Sequence, residues 1–216
     1  MKIIPVIHHI NEQITMKNIE LCIKHNVYGV FLISMEGIND GLSALAKRIK
    51  NNNPQLKIGV NHLGYDAKES IYEGLNYSLD FIWSDNPIVT GQFISNEAEF
   101  IADEIKSSNL QFFNSVAFKY QKVEKNLEQV VINSKSLGFI PTTSGEATGK
   151  AADLNKLMTM KNAIPDYPLA IASGLTPDNV NDYIPFIEYG LVATGISKTF
   201  HELDDNKMKQ IMENIK

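Results

Sequence analysis

The chain has 216 residues, 44% hydrophobic and 21% charged, with a net charge of −5 and one cysteine. That size and balance fit one globular domain over residues 1–216, large enough to fold without a disulfide or a structural metal. The lysines are scattered over helix faces, which argues against nucleic acid as a partner. The lone Cys22 excludes an internal disulfide and a cysteine-based metal site, and no apolar run is long enough to span a bilayer.

Met1-Lys2 leads directly into Ile3-Ile4-Pro5-Val6-Ile7, too short for a leader peptide, so a cytoplasmic location is expected. Residues 3–8 read as a first strand. Residues 15–25 read as a helix, with Met16, Ile19, Leu21, Cys22 and Ile23 at roughly helical spacing. Cys22 is expected to be a small core residue. Tyr28–Ser34 is a near-continuous apolar run, as in a parallel strand buried on both faces. A helix follows from Asp40 and ends at Asn51-Asn52-Asn53-Pro54. Strand three spans 57–62 and its helix 67–77. Strand four spans 80–84, followed by a longer loop with Pro87 and Gly91, then a helix over 96–106. Strand five is expected over 111–118, with a helix over 127–137. Strand six spans 139–143, and Asp153 caps the helix after its loop.

The last two units end in glycine turns. Leu169–Ala172 leads into Ser173-Gly174-Leu175-Thr176-Pro177-Asp178-Asn179-Val180, and Tyr189–Val192 leads into Ala193-Thr194-Gly195-Ile196-Ser197-Lys198. The first turn reads as a helix start, with Thr176 or Ser173 as cap and Pro177 in the first turn. Without side chains at Gly174 and Gly195, backbone N–H groups can approach an anion closely. A closing helix spans 207–215. Eight strand-then-helix units about 25 residues apart point to repeated βα units. The count of eight, the lack of a Gly-x-Gly-x-x-Gly after strand one, and the late position of the turns favour a (β/α)8 barrel over an open sheet. In such barrels a phosphate commonly sits in the loops after strands seven and eight.

Thr143-Ser144-Gly145-Glu146-Ala147-Thr148-Gly149, together with the two glycine turns, resembles the C-terminal half of the BtpA-like barrels. That family is named for a protein of photosystem I biogenesis. It is similar to the ribulose-phosphate-binding barrels, which include indole-glycerol-phosphate, thiamine-phosphate and histidine-pathway enzymes. The resemblance is clearest over about the last third of the chain. It implies a phosphorylated small-molecule ligand. It does not imply a role in photosystem assembly, since no residue here is specific to that.

A barrel site is built from the loops at the C-terminal strand ends. The mouth candidates are therefore His8, Asn61, His62 and Thr143. Glu36, Asp85 and Lys119 are the candidate catalytic residues. Two carboxylates in a closed mouth can have their pKa values pushed apart to act as base and acid. Lys119 can stabilise an oxyanion, hold an acidic group or form a Schiff base. Ser173, Gly174, Thr194, Gly195 and Ser197 are expected to hold the phosphate. Gly145, Thr148 and Gly149 on the loop after strand six are expected to close over it. His8 and His62 with a carboxylate form a weaker metal pattern, so neither metal nor cofactor is expected; adjacent strand residues face opposite ways, so only one of His8 and His9 faces inward. The chemistry expected is of lyase or isomerase type on a sugar-phosphate or nucleotide-like substrate. The alternative is a non-catalytic phosphate-ligand-binding assembly or regulatory factor on the same scaffold. Neither a nucleic-acid nor a membrane partner is expected, and a homo-oligomer is compatible with the sequence.

Overall fold

The computed structural model describes residues 1–37 and 39–216. Among these, eight strands alternate with eight helices. They are β1 (Lys2–His8), α1 (Glu12–Lys24), β2 (Gly29–Ile33), α2 (Leu42–Asn52), β3 (Lys57–Asn61), α3 (Ala67–Asn76), β4 (Phe81–Ser84), α4 (Asn96–Ile105), β5 (Gln111–Ser115), α5 (Leu127–Ser136), β6 (Ile140–Thr143), α6 (Leu154–Ala163), β7 (Ala170–Ala172), α7 (Val180–Tyr183), β8 (Tyr189–Val192) and α8 (Asp205–Asn214). Each strand pairs in parallel with the next. β8 returns to β1, with Ile4 opposite Leu191, so the sheet closes into a barrel.

The period-two alternation of a strand divides the apolar residues into two cores. Ile4, Val6, Phe31, Ile33, Phe81, Trp83, Phe113 and Leu191 fill the barrel interior. Ile3, Ile7, Val30, Leu32, Val60 and Phe112 face the other way, onto helix residues such as Ile19, Leu45, Ile49 and Ile101. This two-sided burial is why the strands read as unbroken apolar runs. Inside, Phe31 and Phe113 meet edge to face at 5.3 Å, and Phe81 and Phe113 at 5.5 Å. Each such pair contributes about 0.5–1.5 kcal/mol beyond its buried area. At the N-terminal end, Lys2 Nζ lies 4.3 Å from the Tyr28 ring centre and 5.1 Å from that of Tyr189. These rings and ammonium groups seal that end. Cys22 is fully buried in the outer core, and burial pushes its thiol pKa up, leaving it unreactive. No helix among the described residues is long and apolar enough to cross a membrane.

Several helix starts follow local chemistry. Asp66 and Glu69 form a capping box on α3, and Asp153 caps α6 by accepting from the backbone N–H of Asn155 at 2.7 Å. Two expectations are corrected. Strand five ends at Ser115 rather than Phe118, because Ala117 adopts φ 47° and turns the chain inward. The turn after β7 does not open a helix capped by Thr176 or Ser173. Instead the Asn179 side chain accepts from Thr176 N–H at 2.8 Å and donates to Gly174 C=O at 2.8 Å. That turn delays α7 to Val180 and shortens it to four residues.

Candidate active site at the barrel mouth

The interior parity carried by Val6, Ile33, Trp83 and Phe113 brings His8, Asn61, Asp85 and Ser115 to the axis at the C-terminal rim. Asp85 lies just past β4. Trp83 Nε1–H donates to Ser115 Oγ at 2.9 Å, and Ser115 O–H donates to Asp85 Oδ1 at 3.2 Å. Gln121 Nε2 donates to the Asp85 carbonyl at 2.8 Å. Phe118, 5% exposed, packs against Trp83 at 6.0 Å. Both Gln121 and Phe118 reach in from the loop after β5. Burial raises the Asp85 pKa, while Ser115, the Lys119 charge, Asn61 and Trp83 oppose that rise. Asn61 is 1% exposed, and its Nδ2, near enough to Asp85 to hold that carboxyl's pKa down, has no acceptor at hydrogen-bond distance. An unsatisfied buried donor costs about 1–3 kcal/mol.

Across the mouth, His8 Nδ1 lies 2.8 Å from the Phe200 carbonyl, and the two rings stack at 4.2 Å. A carbonyl only accepts, so Nδ1 carries the proton and Nε2 of the neutral ring is the free base. Burial lowers the His8 pKa; the bond to Phe200 opposes this, and His201 and Lys119 lower it further. Lys119 therefore acts electrostatically on both His8 and Asp85. Its Nζ donates to Thr148 Oγ1 at 3.2 Å, and its backbone N–H donates to Ser144 Oγ at 2.8 Å.

Of three further residues expected in the mouth, one is exposed on the rim and two face away from the axis. Glu36 is exposed on the loop after β2 and is not among the groups that act on Asp85; the charged group there is Lys119. His62 follows the inward Asn61 and so points outward, where its Nε2 lies 2.9 Å from Ser43 Oγ on α2 and its ring stacks on Tyr65 at 5.1 Å. Burial pushes its pKa down to about 4. Thr143 likewise follows the inward Thr142, and its hydroxyl donates to the Ala117 carbonyl at 3.1 Å. Among the described residues, no three His, Cys, Asp or Glu side chains gather to hold a metal.

The glycine turns stack loop on loop. A Cβ on Gly174 would lie 2.5 Å from both Cα and N of Ala151, and one on Gly145 would lie 2.7 Å from Ala151 O. A Cβ on Gly195 would strike the Leu175 carbonyl oxygen. These side chains are therefore missing because the neighbouring loop fills their place, a reason distinct from the close anion approach expected of them. The N–H groups are a separate matter. Those of Gly174, Thr194 and Gly195 donate to no other described group. Ser173 holds φ 124°, a region costly for any residue but glycine, and its buried Oγ lacks a partner. Ser197 Oγ donates to the Ala193 carbonyl at 2.8 Å. Gly149 brings the loop after β6 across to the β8 turn: a Cβ on it would be 3.8 Å from Thr194 Oγ1.

The sequence carries no signal for the roles of Lys156, Ser115 and Phe118. Lys156 Nζ donates to the carbonyls of Ala117 at 2.5 Å and Ser144 at 2.9 Å, tying together the loops after β5 and β6. Burial lowers its pKa to about 8. Beside it a cleft of about 950 Å³, lined by Lys119, Gln121, Gly145, Lys150 and Lys156, runs between those loops. Only long-range packing gives these three residues their roles.

Known structures share this architecture at low identity. The 3-hexulose-6-phosphate synthase structure aligns with a TM-score of 0.75 at 13% identity, covering 100% of both chains. Phosphoribosyl anthranilate isomerase from Thermus thermophilus aligns at 0.69 and 9% identity, covering 100% of this chain and 98% of the other. Thiamine phosphate pyrophosphorylase from Pyrococcus furiosus aligns at 0.70 and 10%, covering 99% and 95%. No curated protein matches the sequence. The family model described as BtpA family matches residues 39–216, and the chain belongs to that family.

Proposed function

We propose that the protein is an enzyme that moves a proton next to the carbonyl of a phosphorylated sugar-like substrate, in an isomerase or lyase reaction. The observation that carries this reading is the strand parity that turns His8 and Asp85 toward the axis at one rim, with the Lys119 charge acting on both. His8 Nε2 takes the proton from the carbon beside the carbonyl. Asp85, whose pKa burial raises, serves as the acid that gives its proton to the carbonyl oxygen, and Lys119 offsets the negative charge that develops between them. The N–H groups of Gly174, Thr194 and Gly195, with Ser173 and Ser197, hold the phosphate, while Thr148 and Gly149 cover it. The backbone strain at Ser173 supports a ligand role for that turn. The similar structures named above include a synthase, an isomerase and a pyrophosphorylase whose names carry phosphorylated compounds, which fits this class.

One observation favours a second reading, a non-catalytic phosphate-ligand sensor: the buried Phe118 ring packs edge-on against Trp83 at the mouth, giving it an apolar wall. Hydrogen exchange separates the two. Incubated in D2O with five- and six-carbon ketose phosphates, the protein is expected to place deuterium beside the carbonyl of one of them. His8→Gln and Asp85→Asn should each slow that exchange by about 10²–10⁴-fold. Binding of these compounds without any exchange would sink the enzyme reading and leave the sensor.

A further inference from the structure

Asn61 is an odd choice for its position. It ends β3 facing the axis, between Ile33 and Trp83 on the neighbouring strands, in a layer otherwise apolar on those two sides. It is fully enclosed, and its Nδ2–H₂ group leans toward Asp85, holding that carboxyl's pKa down, without an acceptor at hydrogen-bond distance. An apolar residue there would spare the fold an unsatisfied donor. The charged or titratable side chain beside it is Asp85, whose Oδ1 is already engaged by Ser115. A buried donor that leans toward a carboxyl without closing a bond to it fits an acceptor supplied by a ligand.

We propose that Asn61 Nδ2–H and the Asp85 carboxyl together grip the carbonyl oxygen of the substrate, making Asn61 a catalytic residue. This rests on the proton-transfer reading above and narrows the substrate to phosphorylated compounds with a carbonyl beside a C–H bond. When His8 Nε2 removes the proton from that carbon, the C–H electron pair forms the C=C bond and the carbonyl π pair moves to oxygen. That oxygen takes the Asp85 proton, so an enol, an imidazolium and an aspartate result, and the reverse transfers restore all three. Asn61 cannot ionise, so its bond to the oxygen strengthens only as negative charge builds there, which favours the transition state over the bound substrate.

The test uses phosphoglycolohydroxamate, a phosphate-bearing mimic of the enolate, against inorganic phosphate, with binding measured by calorimetry. The full-length protein should bind the hydroxamate at least about 100-fold more tightly than phosphate, a factor at the low end of the advantage transition-state analogues hold over substrates. Asn61→Asp keeps the size of the side chain but replaces the donor with an acceptor. It should remove most of that excess while leaving phosphate affinity within about twofold, since phosphate sits at the distant β7 and β8 turns. Asn61→Ala should do the same, and serves if the aspartate variant does not fold. Either folded variant keeping the hydroxamate preference overturns the role of Asn61. Equal affinity for both compounds in the unaltered protein overturns it as well, with the phosphate site intact. Failure of phosphate to bind the unaltered protein instead removes the anion site of the underlying reading, and this proposal with it.

Discussion

Gly195→Ala is expected to destabilise the protein by about 4 kcal/mol or more, enough to unfold a large fraction of molecules at ordinary temperature. The added methyl would strike the Leu175 carbonyl oxygen and lie 2.9 Å from the carbon of that group and 3.1 Å from Thr176 Cα. All three atoms are backbone, so no rotamer change relieves the clash; the loop after β7 must lift off the loop after β8. Gly174→Ala meets the same obstacle from Ala151 and adds a left-handed φ of 75°. Gly149→Ala is the control. Its φ is also 75°, but the nearest atom is 3.8 Å away, so it should lose only about 1 kcal/mol. Urea unfolding of the three variants measures the difference. A Gly195→Ala loss no larger than that of Gly149→Ala would show that the loops are not stacked as described. A bulky residue at either turn would thus report on folding, so it is unsuited to testing ligand binding.

Acid should destabilise the protein through His62. Its folded pKa of about 4 lies below the ordinary value of 6.5, because burial disfavours the imidazolium. A group whose folded pKa is depressed gains protons more readily in the unfolded chain. The stability it provides is therefore complete above pH 6.5 and is lost as pH falls from 6.5 towards 4. A shift of that size corresponds to about 3 kcal/mol over the window. His8 and His9 are lowered too and act in the same direction, while Asp85, raised by burial, acts in the opposite one. The difference between the unaltered protein and His62→Gln isolates the single site. Unfolding free energies at pH 7 and 4.5 should fall less in the variant by most of that amount. Equal losses in both proteins would place His62 in solvent rather than against Ser43 and Tyr65.

The barrel was legible because parallel strands covered on both sides leave long apolar runs such as Tyr28–Ser34, and because eight of them recur with helices between. Individual mouth residues were less so. Period two says that one of Asn61 and His62 faces inward, but not which; the register that puts Phe31 and Phe81 on the axis decides for Asn61. Glu36 follows a strand end as Asp85 does, yet only Asp85 is drawn under the loop after β5. The end of β5 carried no warning, since the residue that turns the chain is Ala117, not a glycine. Thr176-Pro177-Asp178-Asn179 has the composition of a helix start. It forms a turn because the Asn179 amide reaches both Thr176 and Gly174. Lys156, Ser115 and Gln121 owe their places to contacts between distant segments, which spacing within one segment does not encode.

In the proposed function, free amides at the ends of β7 and β8 hold a phosphate. The most direct measurement is an ¹⁵N–¹H correlation spectrum of the unaltered protein titrated with inorganic phosphate. The amide signals of Gly174, Thr194 and Gly195 should move together and saturate with one shared Kd. If those three stay fixed while phosphate moves other amides, or none, the anion does not bind at these turns.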